Sequence, residues 1–141
     1  MNKICTDIRQ SKKLIELGID TDTSDMCYKC LGEDPYDLIV RPYSEWKEEY
    51  KVLLRSGDAK VYPAWSLTAL LELMPPYLFE FERGIDLNIY RNLNGKGWHC
   101  SYMPNVIENM KKDKFRQLTN GNNPVDAAFE MVCWLLENNK L

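Results

Sequence analysis

The sequence is nearly without histidine: His99 is the single one in 141 residues. General acid–base work or a Cys–His nucleophile would have to run through that one side chain. It follows a hairpin-turn signal, and a surface strand histidine is the expected reading. Long apolar runs are also missing. The longest, Met131 to Leu136, is far short of the ~20 residues a helical bilayer span needs. After Lys3, Asp7, Arg9 and Gln10 interrupt any apolar stretch, so no signal peptide is expected, no membrane association and a cytoplasmic location. There is no basic excess, with 18 Lys and Arg against 21 Asp and Glu and a net charge of -3. Duplex-binding proteins usually carry a basic surplus, because neutralising phosphate supplies most of their affinity. Nucleic acid is therefore not an expected partner. A phosphate loop is absent too: Gly95-Lys96-Gly97 lies in a hairpin pattern and no helix follows it.

What is present fits an ordinary globular chain. Hydrophobic residues make up 45% and charged residues 28%, enough for one proper core without disulfides. No repeat or low-complexity tract marks a boundary, so a single domain over residues 1–141 is expected. Five cysteines, an odd number in a chain with no export signal, read as reduced and mostly buried thiols.

Local signals divide the chain into elements. Asp7-x-x-Gln10 has the form of a capping box, and Gly18 sits where a helix C′ residue belongs, with Ile19 able to pack back. The spacing predicts a helix over 7–17, with Ile4, Ile8, Ser11 and Ile15 on one face and Leu14 widening it. Strands are expected at 26–31 and 36–41, joined by a four-residue loop. Ser44 caps a second helix with Trp46, Tyr50 and Leu53 on its apolar face and Gly57 at its end. Ala59 to Tyr62 reads as a short edge strand stopped by Pro63. Ser66 caps a helix from Leu67 to Met74, which Pro75-Pro76 terminates.

Leu78 through Tyr90 carries the clearest β alternation, and Asn94-Gly95 offers a type I′ turn to a return strand with Trp98, Cys100 and Tyr102 on one face. Residues 104–122 give no clear pattern. Asn123, Pro124 and Asp126 then fix the start of a last helix running to about Asn138. The expected fold is α+β: an antiparallel sheet of about five strands with helices packed mainly on one face.

Few constellations suggest chemistry. Cys27-x-x-Cys30 and His99-Cys100 could in principle offer four zinc ligands. Adjacent strand residues point to opposite faces, so His99 and Cys100 do not both reach one ion. No metal and no cofactor are expected. Glu80, Glu82 and Asp86 could hold a cation in a small metal-dependent hydrolase, though the wet side of a half-buried strand is the simpler account. Catalytic residues are accordingly none. Lys111, Lys112, Lys114 and Arg116 form the only basic cluster and would serve a nucleic-acid-associated role, the alternative function. Glu108 and Asp113 dilute it.

The last helix stands apart. Val125, Ala128, Phe129, Val132 and Leu136 suffice to pack on a sheet, yet Ala127, Met131, Trp134 and Leu135 add apolar surface elsewhere. A helix apolar nearly all round must be covered on more than one side. Met131, Trp134 and Leu135 are thus the expected contact residues for a protein partner or a second copy, as in a homodimer.

Three blocks carry a resemblance. C-T-D-I-R-Q-S-K-K-L-I-E-L-G-I-D with T-S-D-M, P-A-W-S-L-T-A-L-L-E-L-M-P, and D-A-A-F-E-M-V-C-W-L-L-E-N-N-K-L are similar to a family of small uncharacterised proteins. They come from Bacteroides-type gut bacteria and their phages or mobile elements. The resemblance implies a bacterial or phage origin and brings no activity and no catalytic residue. The expected function is a non-enzymatic accessory protein acting through protein–protein contacts.

Overall fold

The Asp7 carboxylate accepts from the Gln10 N–H at 2.8 Å, and the Gln10 carboxamide oxygen accepts from the Asp7 N–H at 3.1 Å. This reciprocal pair starts α1 (Ile8–Glu16) in the computed structural model, which describes residues 3–32, 35–49, 51–57, 59–80, 83–92, 94–104 and 117–141. At the other end Gly18, at φ +102, lets the chain reverse, with bonds from the Gly18 N–H to the Ile15 carbonyl and the Ile19 N–H to the Leu14 carbonyl. Those two bonds make a Schellman cap. Both ends match the sequence expectation; the face does not. Ser11 and Leu14 point inward, whereas Ile4 is 57% exposed and Ile15 is also exposed. Ile4 precedes the cap, so helical spacing does not apply to it. The Thr6 and Ser11 hydroxyls, 2.8 Å apart and buried, take an inward position.

The chain divides into two compact units, 3–69 and 70–141, with the boundary inside α4 (Leu67–Leu73). In the first, β1 (Met26–Leu31) pairs antiparallel with β2 (Asp37–Ile39) and with β3 (Ala59–Ala64), giving the order β2-β1-β3. Pro63 does not stop β3 but lies within it opposite Cys27. An edge strand tolerates a residue with no N–H to give to a ladder.

Tyr28 and Tyr62 share the face toward α1, where Cys5 meets the Tyr28 hydroxyl at 3.5 Å and Lys12 lies over the Tyr62 ring. Lys29, on the other face, lies over Trp46 of α2 (Tyr43–Glu49). This sheet therefore has helices on both faces. The second expected helix is described over α2 and α3 (Lys51–Ser56), and position 50 between them lies outside the described residues. Trp46 is buried as expected, but Leu53 is exposed.

The second unit holds β4 (Tyr77–Glu80), β5 (Arg83–Arg91), β6 (Trp98–Pro104), β7 (Gln117–Gly121) and α5 (Pro124–Glu137). The strands form an antiparallel sheet in the order β4-β5-β6-β7. The α+β class with antiparallel pairing is the class observed. Among the described residues the strands, expected in one sheet of about five, are divided between sheets of three and four. The long β signal from Leu78 to Tyr90 belongs to two strands, since β4 pairs back on β5 with Leu78 opposite Ile85.

α5 starts where its cap residues place it, with the Asn123 carboxamide oxygen accepting from the Asp126 N–H at 2.9 Å. It lies across β6 and β7, on the face that carries Cys100, Tyr102 and Thr119, where Thr119 Oγ1 donates to the Ala127 carbonyl at 2.8 Å. Cys100, Tyr102, Val125, Ala127, Ala128, Val132 and Leu135 are buried there. Tyr102 Oη donates to the Pro75 carbonyl at 2.5 Å, tying β6 to the chain that leaves α4. Among the described residues no helix is long and apolar enough to cross a membrane.

Candidate functional site

The face of β5, β6 and β7 opposite α5 can be built from strand register alone. Tyr90 stands opposite His99, and His99 opposite Asn120; Asn88 stands opposite Ser101, and Ser101 opposite Leu118. Residues two apart share a face, so Asn88, Tyr90 and Asn92 form one row, Ser101 and His99 the next, Leu118 and Asn120 the third. None of these side chains is charged. Asp86, next along the first row, is outside the residues whose side chains are described. Tyr90 is 41% exposed and Leu118 is 44% exposed. Asn88 and Asn120 are exposed too, while Ser101 is fully buried.

At the hairpin end of this face lies a shallow cleft of about 400 Å³ lined by Tyr90, Asn92, Asn94 and His99. The Tyr90 and His99 rings meet with centroids 5.2 Å apart and planes tilted by 42°. His99 Nδ1 is buried and has no hydrogen-bond partner among the described residues.

The connecting loop holds the two amides. The Asn92 N–H bonds the Gly97 carbonyl at 3.1 Å and the Gly95 N–H bonds the Asn92 carbonyl at 2.9 Å. Asn92 Nδ2 donates to the Lys96 carbonyl at 2.7 Å, and Asn94 Oδ1 accepts from the Lys96 N–H at 2.9 Å. The hairpin between 85–91 and 97–103 expected from sequence is present. Its turn is not type I′, which needs positive φ at both central residues. Gly95 and Gly97 have positive φ; Asn94 does not. The loop is longer, closing at Asn92 and Gly97.

The other sequence candidates fall elsewhere. Met131 and Leu135 are fully buried, so a partner touching this part of α5 would meet only Trp134, which is half-buried. Lys111, Lys112, Lys114 and Arg116 lie outside the described residues, as do Glu82 and the side chains of Glu80 and Asp86. Cys27 and Cys30, three apart on β1, point to opposite faces. Among the described residues no group of three or more His, Cys, Asp or Glu side chains is placed to hold a metal.

All five cysteines are buried free thiols. Burial pushes the Cys100 thiol up to about 12. Burial also raises Cys27, to about 11, against a smaller downward pull from Arg41 and Lys29. Such thiols are poor nucleophiles at neutral pH, because the thiolate is the reactive form. Sequence patterning saw His99 and Asn94 separately. It missed the cleft because Tyr90 and His99 meet only through the pairing of β5 with β6. In comparison with known proteins, no family model matches the chain, no curated protein matches it, and no solved structure matches it.

Proposed function

We propose that this chain is a non-enzymatic accessory protein, of bacterial or phage and mobile-element origin, that acts through protein–protein contact. The three-block resemblance supports the origin. The observation that carries the contact reading is that, among the described side chains, the outer face of β5, β6 and β7 carries no Asp, Glu, Lys or Arg from Asn88 to Asn92, His99 to Ser101 and Leu118 to Asn120. Solvent-facing strand positions usually carry charge, and depletion of charge with enrichment of aromatics is the compositional mark of interface cores. Tyrosine with asparagine and serine is also the mixture that recognition surfaces favour, since tyrosine supplies large contact area at small entropic cost.

A second copy is the partner that suits such a face best. A two-fold interface must be complementary to itself, and a neutral face meets its own image without like-charge repulsion. Sedimentation velocity over a range of concentrations tests this. Wild type is expected to shift toward dimer as concentration rises. Leu118→Lys, which sets two cations near each other across the axis, is expected to stay monomeric and folded. A wild type that is monomeric at every concentration, or a Leu118→Lys variant that dimerises as well as wild type, overturns self-association through this face.

A further inference from the structure

The cleft at the β5–β6 hairpin has features that a dimer contact does not require. Its polar groups are fixed in direction. Lys96 engages one end of each amide, the Asn92 Nδ2 and the Asn94 Oδ1. That leaves the Asn92 Oδ1 as an acceptor and the Asn94 Nδ2 as a donor, neither bonded among the described residues. His99 Nδ1 adds a third polar atom without a partner, and Tyr90 gives an exposed ring face beside it. Among the described residues no Asp, Glu, Lys or Arg lines the cleft. The two amides stand at the surface, where a ligand would replace water on them, whereas an uncompensated polar atom withdrawn from water is costly; His99 Nδ1 is such an atom, and a ligand in the cleft would supply its partner.

The ligand chemistry follows from these groups. A neutral lining disfavours a ligand whose recognised part is charged. Two rigid amides, one accepting and one donating, suit a partner whose own donor and acceptor are fixed in a plane. An exposed aromatic face suits a planar ring. An unpaired nucleobase meets all three conditions, since every base has a π-face for stacking and adjacent donors and acceptors on its edge. Sugar hydroxyls could bond the amides, but a saturated ring gives up planar stacking.

We propose that the cleft of Tyr90, Asn92, Asn94 and His99 binds an unpaired nucleobase. The base could be part of a free nucleoside or of a single strand, and the two sources differ in phosphate. Lys96 in the loop is exposed and could meet a phosphate; Arg91 bonds the Gly95 carbonyl and lies over Trp98.

The test is a titration of isotope-labelled protein with neutral nucleosides, followed by NMR at the Tyr90 and His99 rings. Saturable shifts of both rings are expected. Tyr90→Ala should weaken binding about 5- to 150-fold, the range that base stacking on an aromatic spans. Tyr90→Phe should keep it, which separates loss of the ring from loss of the loop. A short single-stranded oligonucleotide that binds more tightly than the nucleosides, with affinity falling as salt rises, assigns the base to a strand. Equal affinity assigns it to a free nucleoside.

Three results overturn the proposal: no saturable shift with any nucleoside, binding that survives Tyr90→Ala unchanged, or shifts produced by methyl glycosides and not by nucleosides. Running the titration on monomeric Leu118→Lys keeps the outcome independent of self-association.

Discussion

The Asp25 carboxylate holds Ser66 by two hydrogen bonds, one from the Ser66 backbone N–H at 2.9 Å and one from its hydroxyl. The Ser66 oxygen in turn accepts from the Ala69 N–H at 3.2 Å, capping α4. Because the hydroxyl proton goes to the carboxylate, the oxygen's lone pairs are left for the helix end. Ser66 also forms the isolated bridge with Cys5. One acidic residue before β1 thus orients the start of a helix far along the chain.

Ser66→Ala is expected to cost about 1 kcal/mol, the usual loss for a helix cap. Asp25→Ala should cost more, about 1.5–3 kcal/mol, because hydrogen bonds to a charged group are stronger. The double variant should lose less than the sum, since the two residues share a bond. Urea midpoints at constant slope measure all three. Strict additivity would mean that the carboxylate does not act through the cap.

Among the described glycines Gly121 has least room. A Cβ there would stand 2.4 Å from the Ala127 nitrogen and 2.8 Å from the Asp126 Cβ, so the β7–α5 junction would have to open. Gly95 has open space around it but a φ of +74. Gly95→Ala should cost ~1–2 kcal/mol, the penalty of a left-handed conformation, and Gly95→Asn less. Gly121→Ala should cost more than Gly95→Ala, as overpacking against backbone cannot be relieved by a rotamer change. Thermal melts of the three variants give the order directly. A Gly121→Ala melt equal to wild type would contradict the close approach.

The buried thiols make stability depend on alkaline pH. Cys27 and Cys100 are raised from 9.0 to about 11 and about 12 by burial. Between those values the unfolded chain has lost the protons that the folded chain keeps, so stability falls as pH rises. The contribution is fully present below pH ~9 and declines up to the folded values, by as much as ~1.4 kcal/mol per pH unit for each thiol. Urea midpoints between pH 8 and pH ~10.5 should fall more steeply for wild type than for Cys100→Ala. Equal slopes would mean that Cys100 is not held protonated by its site.

Much of the helical structure was legible because its signals are local. Asp7 with Gln10, Gly18 with Ile19, and Asn123 with Pro124 and Asp126 act within a turn of themselves, and each appears as the spacing implies. β7 was not legible. In Gln117-Leu118-Thr119-Asn120-Gly121 the apolar Leu118 faces outward and the polar Thr119 faces α5, the reverse of the pattern that marks a half-buried strand. Thr119 is accepted inward because its hydroxyl finds the Ala127 carbonyl.

The sequence by itself determined where α1, α4 and α5 begin, that β5 and β6 form a hairpin, and that the five cysteines are small buried hydrophobes. Those features rest on capping bonds, backbone preference and the low cost of burying a thiol. Only the tertiary structure decided that the strands form two sheets, that Met131 and Leu135 are buried within the chain, and that Tyr90, Asn92, Asn94 and His99 line one cleft. Each depends on how the elements pair and pack on one another, which no capping bond or local periodicity encodes.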